Sequence, residues 1–440
     1  MCPNPLMNEK DKDRVLRVCQ ALREAERPVR ILRGLAWPQN VREKFFAMKA
    51  RALPDVAYAS FDCAPVLETL QSARRLIDDR SVVGSWLARQ ANAIELASRM
   101  LAVAGTSEFL VFSRRLYGTP TDLLVDEKSN TLELAKLIDK ILGDLAHVEL
   151  GAPEPACYLA ATVAAEIKQA VETKFGEEAP EVAVVEELSA NALAGARRIR
   201  IRRSACFTDK DIAQLIHHEA FIHVATALNG QAQTELPILA AGHPGTTRTQ
   251  EGLAVFAEFI TGSMELDRLQ RLSGRVLAIQ MVIDGADFLD VYRYFLDRTG
   301  NEEQSFENAR RVFRGGVITG GTPFTKDIVY LDGLLRVHNF LRSAVAAGRS
   351  DCLRLLFCGK LDIEDVPALC ELAQAGLCRP PKYLPPWAED LRFLIAYLSY
   401  SRFLNNVDLS LVTAHYEQLL KDAPQVGAVK ANVSHTVPES

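Results

Sequence analysis

The apolar period of this 440-residue chain changes character in one place. From about residue 8 to residue 175, and again beyond Asp209, apolar side chains recur every three to four positions, as amphipathic helices require. Val15, Leu16, Val18 and Leu22 form one such stripe, and Trp86, Leu87, Ala91, Ile94, Leu96, Met100 and Leu101 form another. Between the two helical stretches lie Val182, Val184 and Val185, and then the strictly alternating Arg198-Ile199-Arg200-Ile201-Arg202. These read as a two-strand ribbon, with Asn191 to Gly195 as its connection. The fold expected is α+β and mostly helical, with one small β-ribbon or sheet and an N-terminal helical region. The domains expected are 1–125, 126–421 and a disordered tail over 422–440, where small residues, Gly427 and Pro438 gather.

Composition excludes several classes. With 48% hydrophobic residues the chain can bury a large core. Its 51 basic and 56 acidic residues nearly cancel, so no global field recruits nucleic acid or an anionic membrane. Five arginines crowd Ala196 to Ser204, but no aromatic residue interleaves with them for base stacking. They fit an edge strand whose charge blocks edge-to-edge pairing; such an edge can also pair with an extended peptide. The nine cysteines are scattered and odd in number, as expected of thiols in a reducing compartment. No apolar run approaches the ~18 residues needed to span a bilayer. The N-terminal stretch lacks an apolar signal core, so a cytoplasmic location is expected.

Directly after the ribbon, Leu215-Ile216-His217-His218-Glu219-Ala220-Phe221-Ile222-His223 packs three of the eight histidines and an acid into nine residues. Thr208 and Asp211 stand in a capping-box relation, so a helix starts near Asp209 and runs to about Leu228, where Asn229-Gly230 reads as its stop. The histidines therefore lie mid-helix. Imidazoles bind divalent metals, and a carboxylate beside one can serve as general base toward metal-bound water. The usual zinc-protease pair is four apart; His218 and His223 are five apart, roughly 140° around a helix of about 3.6 residues per turn. Either the helix carries a π-bulge between Glu219 and His223, or the two do not share an ion.

A loop from Gly242 to Thr249 leads to a second helix opening at Gln250-Glu251-Gly252-Leu253-Ala254. Glu251 and Glu258 share one face of it with Ala254 and Val255. An acid facing an apolar interior needs a partner, and a metal held by the preceding helix would be one. Farther on, Arg310 to Gly333 holds two Gly-Gly pairs that bracket a turn, but no Gly-Lys-Ser/Thr ending of a phosphate loop.

The pairing of His218-Glu219-Ala220-Phe221-Ile222-His223 with Gln250-Glu251-Gly252-Leu253-Ala254, together with Phe324-x-Lys326-Asp327-x-Val329-Tyr330, resembles the QEGLA-motif family over roughly residues 180 to 340. That family includes the microtubule-associated tyrosine carboxypeptidases, and its bacterial branch is labelled flavohaemoglobin expression-modulating. The resemblance implies a gluzincin-like zinc peptidase, with His218, His223 and Glu251 as Zn2+ ligands and Glu219 as general base. A carboxypeptidase acts on a peptide or protein C-terminus and needs a cation for its terminal carboxylate. Arg311, Arg314 and Lys326 are the candidates. Tyr330 is placed as a donor to the developing oxyanion. Glu258 is expected to orient a histidine and His217 to make a supporting hydrogen bond; His243 precedes Glu251 in a loop that could face the site. The competing expectation is a non-enzymatic, metal-containing regulatory protein; intact Glu219 counts against it, since a structural zinc site does not need a base.

Overall fold

The computed structural model describes residues 7–78, 80–145, 158–186, 188, 191–195, 197–205, 207–404 and 407–422. The tail expected from residue 422 lies, beyond Asp422, outside the described residues, as do Cys2, Cys157 and Cys206. The fold is α+β and mostly helical. Its N-terminal helices begin where polar caps satisfy free amides: Asn8 caps Glu9–Glu26, Ser81 caps Val82–Ala102, and Asn130 with Glu133 forms a capping box on Thr131–Asp144. Their apolar faces enter the largest core, which runs from Val15 through Trp86 and Leu253 to Leu398. A second, aromatic core joins Trp37 and Phe45 to Phe288, Phe306 and Phe313. The described cysteines Cys19, Cys63, Cys352, Cys358, Cys370 and Cys378 are free thiols. No described helix is long and apolar enough to cross a membrane.

The sheet has three strands, β1 (Glu181–Val185), β2 (Ala192–Gly195) and β3 (Arg198–Arg202), in the order β1-β3-β2. β3 lies parallel to β1 and antiparallel to β2, with Val182 opposite Ile199 and Ala194 also opposite Ile199. The segment read as a connection is therefore the edge strand. Ala-Leu-Ala-Gly carries no β-branched residue, which is why it gives no strand signal. The arginine strand, expected at the edge, is central. Ile199 and Ile201 are fully buried against Val163, Ile167 and Val171 of the Ala160–Phe175 helix. The alternate arginines point outward, Arg198 to Glu181 at 2.6 Å and Arg202 to Asn191 at 2.8 Å.

The histidine helix follows as Asp209–Leu215, a π-helical Ile216–Val224, and Ala225–Gln231. Its start carries the expected Thr208–Asp211 capping box. It does not stop at Asn229-Gly230. Asn229 is buried, accepting from the Lys382 and Tyr383 amides and donating to the Phe357 and Tyr383 carbonyls. Gly230 is needed because a Cβ there would lie 2.3 Å from the Leu239 carbonyl oxygen.

The Glu251 helix spans Pro244–Ile260, with Pro at its first position and His243 as N-cap. Its first turns hold Thr246, Thr247 and Thr249, whose β-branching reads as loop, so the helix begins earlier than expected. It packs along the Tyr330 helix, Val329–Ala346, backbone to backbone: a Cβ on Gly252 would stand 2.3 Å from the Gly333 carbonyl. This crossing fixes Glu251 relative to Lys326 and Tyr330.

Candidate metal centre

The π segment settles how two histidines five apart meet. With i→i+5 bonding each turn takes up an extra residue, so His218 and His223 return to one face. Their ring centroids lie 4.9 Å apart. The Glu251 helix crosses this face and presents Glu251, whose Oε2 is 3.7 Å from His218 Nε2 and 3.6 Å from His223 Nε2. The three ligand atoms all lie within 4.8 Å of one another. Because the helix starts at Pro244, Glu251 stands two turns inside it, where the crossing helix holds its backbone.

Glu258 lies fully buried behind His218. His218 Nδ1 donates to Glu258 Oε1 at 2.6 Å. Gln214 Nε2 and Arg268 Nη2 reach the same oxygen at 3.0 and 3.1 Å, and Arg268 Nε reaches Oε2 at 3.1 Å. Burial alone would raise the Glu258 carboxyl, but Arg268 and His218 hold it down at about 2. Burial would likewise discharge His218, yet the Glu251 and Glu258 carboxylates push it up to about 10. Glu251, half-buried, is held well below the usual carboxylate range by Lys326 and the two imidazoles. His223 is lowered by burial against the pull of Glu251.

Glu219 sits beside this group, its Oε1 4.0 Å from His218 Nε2. Its other oxygen accepts from the Ala194 amide of β2 at 3.1 Å. The sheet thus aims the carboxylate and places β2, one of its two edge strands, next to it.

The remaining sequence candidates divide. Lys326 Nζ lies 3.3 Å from Glu251 Oε1 and 5.3 Å from the Tyr330 ring centroid. Arg311 is committed to Asp327, Nε to Oδ2 at 2.6 Å and Nη2 to Oδ1 at 2.8 Å. Arg314 is buried, and its Nε has no hydrogen-bond partner; burial and the neighbouring Arg311 lower it to about 9. His217 turns to the edge of Phe221, ring centroids 5.6 Å apart, and its buried Nδ1 finds no partner. His243 caps its helix, accepting from Gly245 N, and stands apart from the histidine pair.

Sequence reasoning missed three contributors. Arg268 opens no motif, the Ala194 amide carries no side-chain signal, and Lys360 arrives from a loop more than a hundred residues after Glu251. Lys360 Nζ donates to the His223 carbonyl, Thr226 Oγ1 and Gln250 Oε1, each at 3.0 Å. Burial lowers this ammonium to about 8.

The donor set fits zinc: two imidazole nitrogens and a carboxylate leave a fourth position of a tetrahedral ion open. Metal-binding histidines commonly have a carboxylate on the nitrogen away from the ion, and Glu258 stands against His218 Nδ1 in that way. One other trio among the described residues, Asp351, Cys352 and Cys370, could hold a metal, but Arg349 already forks onto Asp351.

Residues 43–406 match the family model described as microtubule-associated tyrosine carboxypeptidase, a wider span than the motif region itself. The comparison with curated proteins finds no match.

Proposed function

The chain belongs to the microtubule-associated tyrosine carboxypeptidase family, and on that premise we propose that it is a zinc-dependent carboxypeptidase with a gluzincin-like centre. The observation that carries this reading is the convergence of His218, His223 and Glu251 with Glu219 alongside. His218, His223 and Glu251 would hold the ion. When bound, zinc supplies a Lewis acid that polarises the scissile carbonyl and makes water more acidic.

The chain's own groups do the rest. Glu219 takes a proton from the attacking water and hands it to the departing amine. The Ala194 amide keeps one Glu219 oxygen occupied, so the other is turned toward the reacting atoms. The free side of β2 pairs with the extended substrate main chain, a mode in which backbone hydrogen bonds give affinity. Lys326, the cation nearest the ligand trio among the three sequence candidates, binds the terminal carboxylate. Arg311 and Arg275 hold Asp327 behind it, with Arg275 Nε 3.7 Å from Asp327 Oδ2. Tyr330, beside Lys326, donates to the oxyanion. A non-enzymatic metal scaffold would have no use for Glu219 aimed in this way.

The test is Glu219→Gln. Purified wild type should carry about one zinc per chain, as a single-site centre requires, and should trim peptide libraries from the C-terminus as read by mass spectrometry. The variant should keep the metal and lose cleavage by at least about 100-fold, the low end of general-base contributions. Cleavage retained in the variant would sink the mechanism.

A further inference from the structure

Lys360 is half-buried, and among the described residues no carboxylate is hydrogen-bonded to it. Its three N–H donors go to three neutral acceptors, the His223 carbonyl, the Thr226 hydroxyl and the Gln250 amide oxygen. An ammonium drawn partly out of water costs free energy unless its surroundings repay it, and here three fixed protein acceptors hold it in one orientation.

Its acceptors show what the charge does. His223 is a ligand candidate near the end of the π segment Ile216–Val224, where the hydrogen-bond ladder returns to the α stagger. Thr226 lies one turn on, its Oγ1 2.7 Å from the Ile222 carbonyl oxygen and 2.8 Å from Gln250 Oε1, two acceptors that share its single hydroxyl proton. Gln250 immediately precedes Glu251 on the crossing helix. One side chain thus ties the backbone of one ligand candidate to the neighbour of another, and reinforces the Thr226–Gln250 contact between the same two helices. Its charge also faces Glu251 and Glu219.

We propose that Lys360 is a positioning residue for the metal centre: it clamps the end of the π segment to the Gln250–Glu251 turn, setting His223 Nε2 and Glu251 Oε2 3.6 Å apart. The inference rests on the zinc-peptidase reading. Sites of this kind need their ligands held within about 0.5 Å of the working geometry, and Lys360, Thr226 and Gln250 form the network that does so at His223, as Glu258 does at His218.

The experiment uses full-length wild type, Lys360→Met, Gln250→Met and the double variant. Zinc affinity is read by competition with a chromophoric chelator, and ligand geometry by the visible spectrum of the cobalt-loaded proteins. Lys360→Met should bind zinc about 10–100-fold more weakly, the usual cost of losing a supporting partner, and its cobalt bands should move. Gln250→Met should shift in the same direction by less, and the double variant should lose no more than Lys360→Met alone, because the two act as one unit. Lys360→Met binding zinc within about twofold of wild type with an unmoved cobalt spectrum would overturn the inference, even if its stability fell. Should Lys360→Met fail to fold, Gln250→Met decides by the same two readouts. Wild type that takes up no zinc would overturn the underlying reading instead, so the two failures are distinguishable.

Discussion

Replacing Glu258 by glutamine keeps its shape and removes its charge. The carboxylate is fully buried and receives His218 Nδ1, Gln214 Nε2 and both Nε and Nη2 of Arg268. Its folded pKa of about 2 against 4.5, at about 1.4 kcal/mol per pH unit, makes the ionised form worth ~3 kcal/mol over the neutral one. That agrees with the roughly 3–5 kcal/mol lost when one member of a buried pair is removed, since Arg268 would be left without its carboxylate. The sign follows from the depressed pKa: the contribution is present above pH 4.5 and is lost as pH falls toward about 2. Urea unfolding of the metal-free protein at pH 7 should therefore show Glu258→Gln less stable by ~3 kcal/mol, with the gap closing in acid. Zinc affinity, measured separately, should drop about 10–100-fold because His218 loses its anionic partner. A gap under ~1 kcal/mol at pH 7, or one that stays constant on acidification, would refute the electrostatic account. Unchanged zinc affinity beside a full stability loss would refute the orienting role alone.

Two further substitutions probe the frame around the site. Gly252→Ala would place a Cβ 2.3 Å from the Gly333 carbonyl, backbone that cannot swing aside; overpacking of this kind costs about 1–3 kcal/mol, and zinc titration should weaken too as Glu251 is displaced. An unfolding midpoint and zinc affinity equal to wild type would remove that contact as the determinant. Asp365, buried beside Asp362 and Gln90, has its carboxyl raised from 3.8 to about 6, chiefly by burial. Folding then favours the protonated acid, so this group's stabilisation is present below pH 3.8 and lost as pH rises through about 6, some ~3 kcal/mol in all. Asp365→Asn should flatten that part of the stability profile, and curves for wild type and variant that run parallel from pH 4 to 7 would contradict it.

Local chemistry is what the sequence states openly. The helical periods, the Thr208–Asp211 capping box and the interior face shared by Glu251 and Glu258 follow from residues a few positions apart. That His218 and His223 could share a face only if the helix left α geometry was also legible, because spacing and helix geometry are both local quantities; that the departure extends over Ile216–Val224 was not. What stayed hidden depends on pairing across the chain. β3 is central only because β1 finds it from seventeen residues away, and β2 has no strand propensity to announce it. Arg311 and Arg314 looked like a fork held out for a substrate carboxylate, but Asp327 takes Arg311, and no short-range rule links those two positions. Lys360 is the extreme case, contributing three hydrogen bonds to the site from a segment with no motif.

Charge compensation explains how the centre holds together. Three carboxylates, Glu219, Glu251 and Glu258, converge on one imidazole pair, an arrangement that would be repulsive if unanswered. Each meets a different cation: Arg268 forks onto Glu258, Lys326 approaches Glu251 Oε1, and the Lys360 charge faces Glu251 and Glu219 from behind. The helix that carries Glu251 is held by backbone contact between Gly252 and Gly333, and the Lys360 network ties its Gln250 to the His223 backbone.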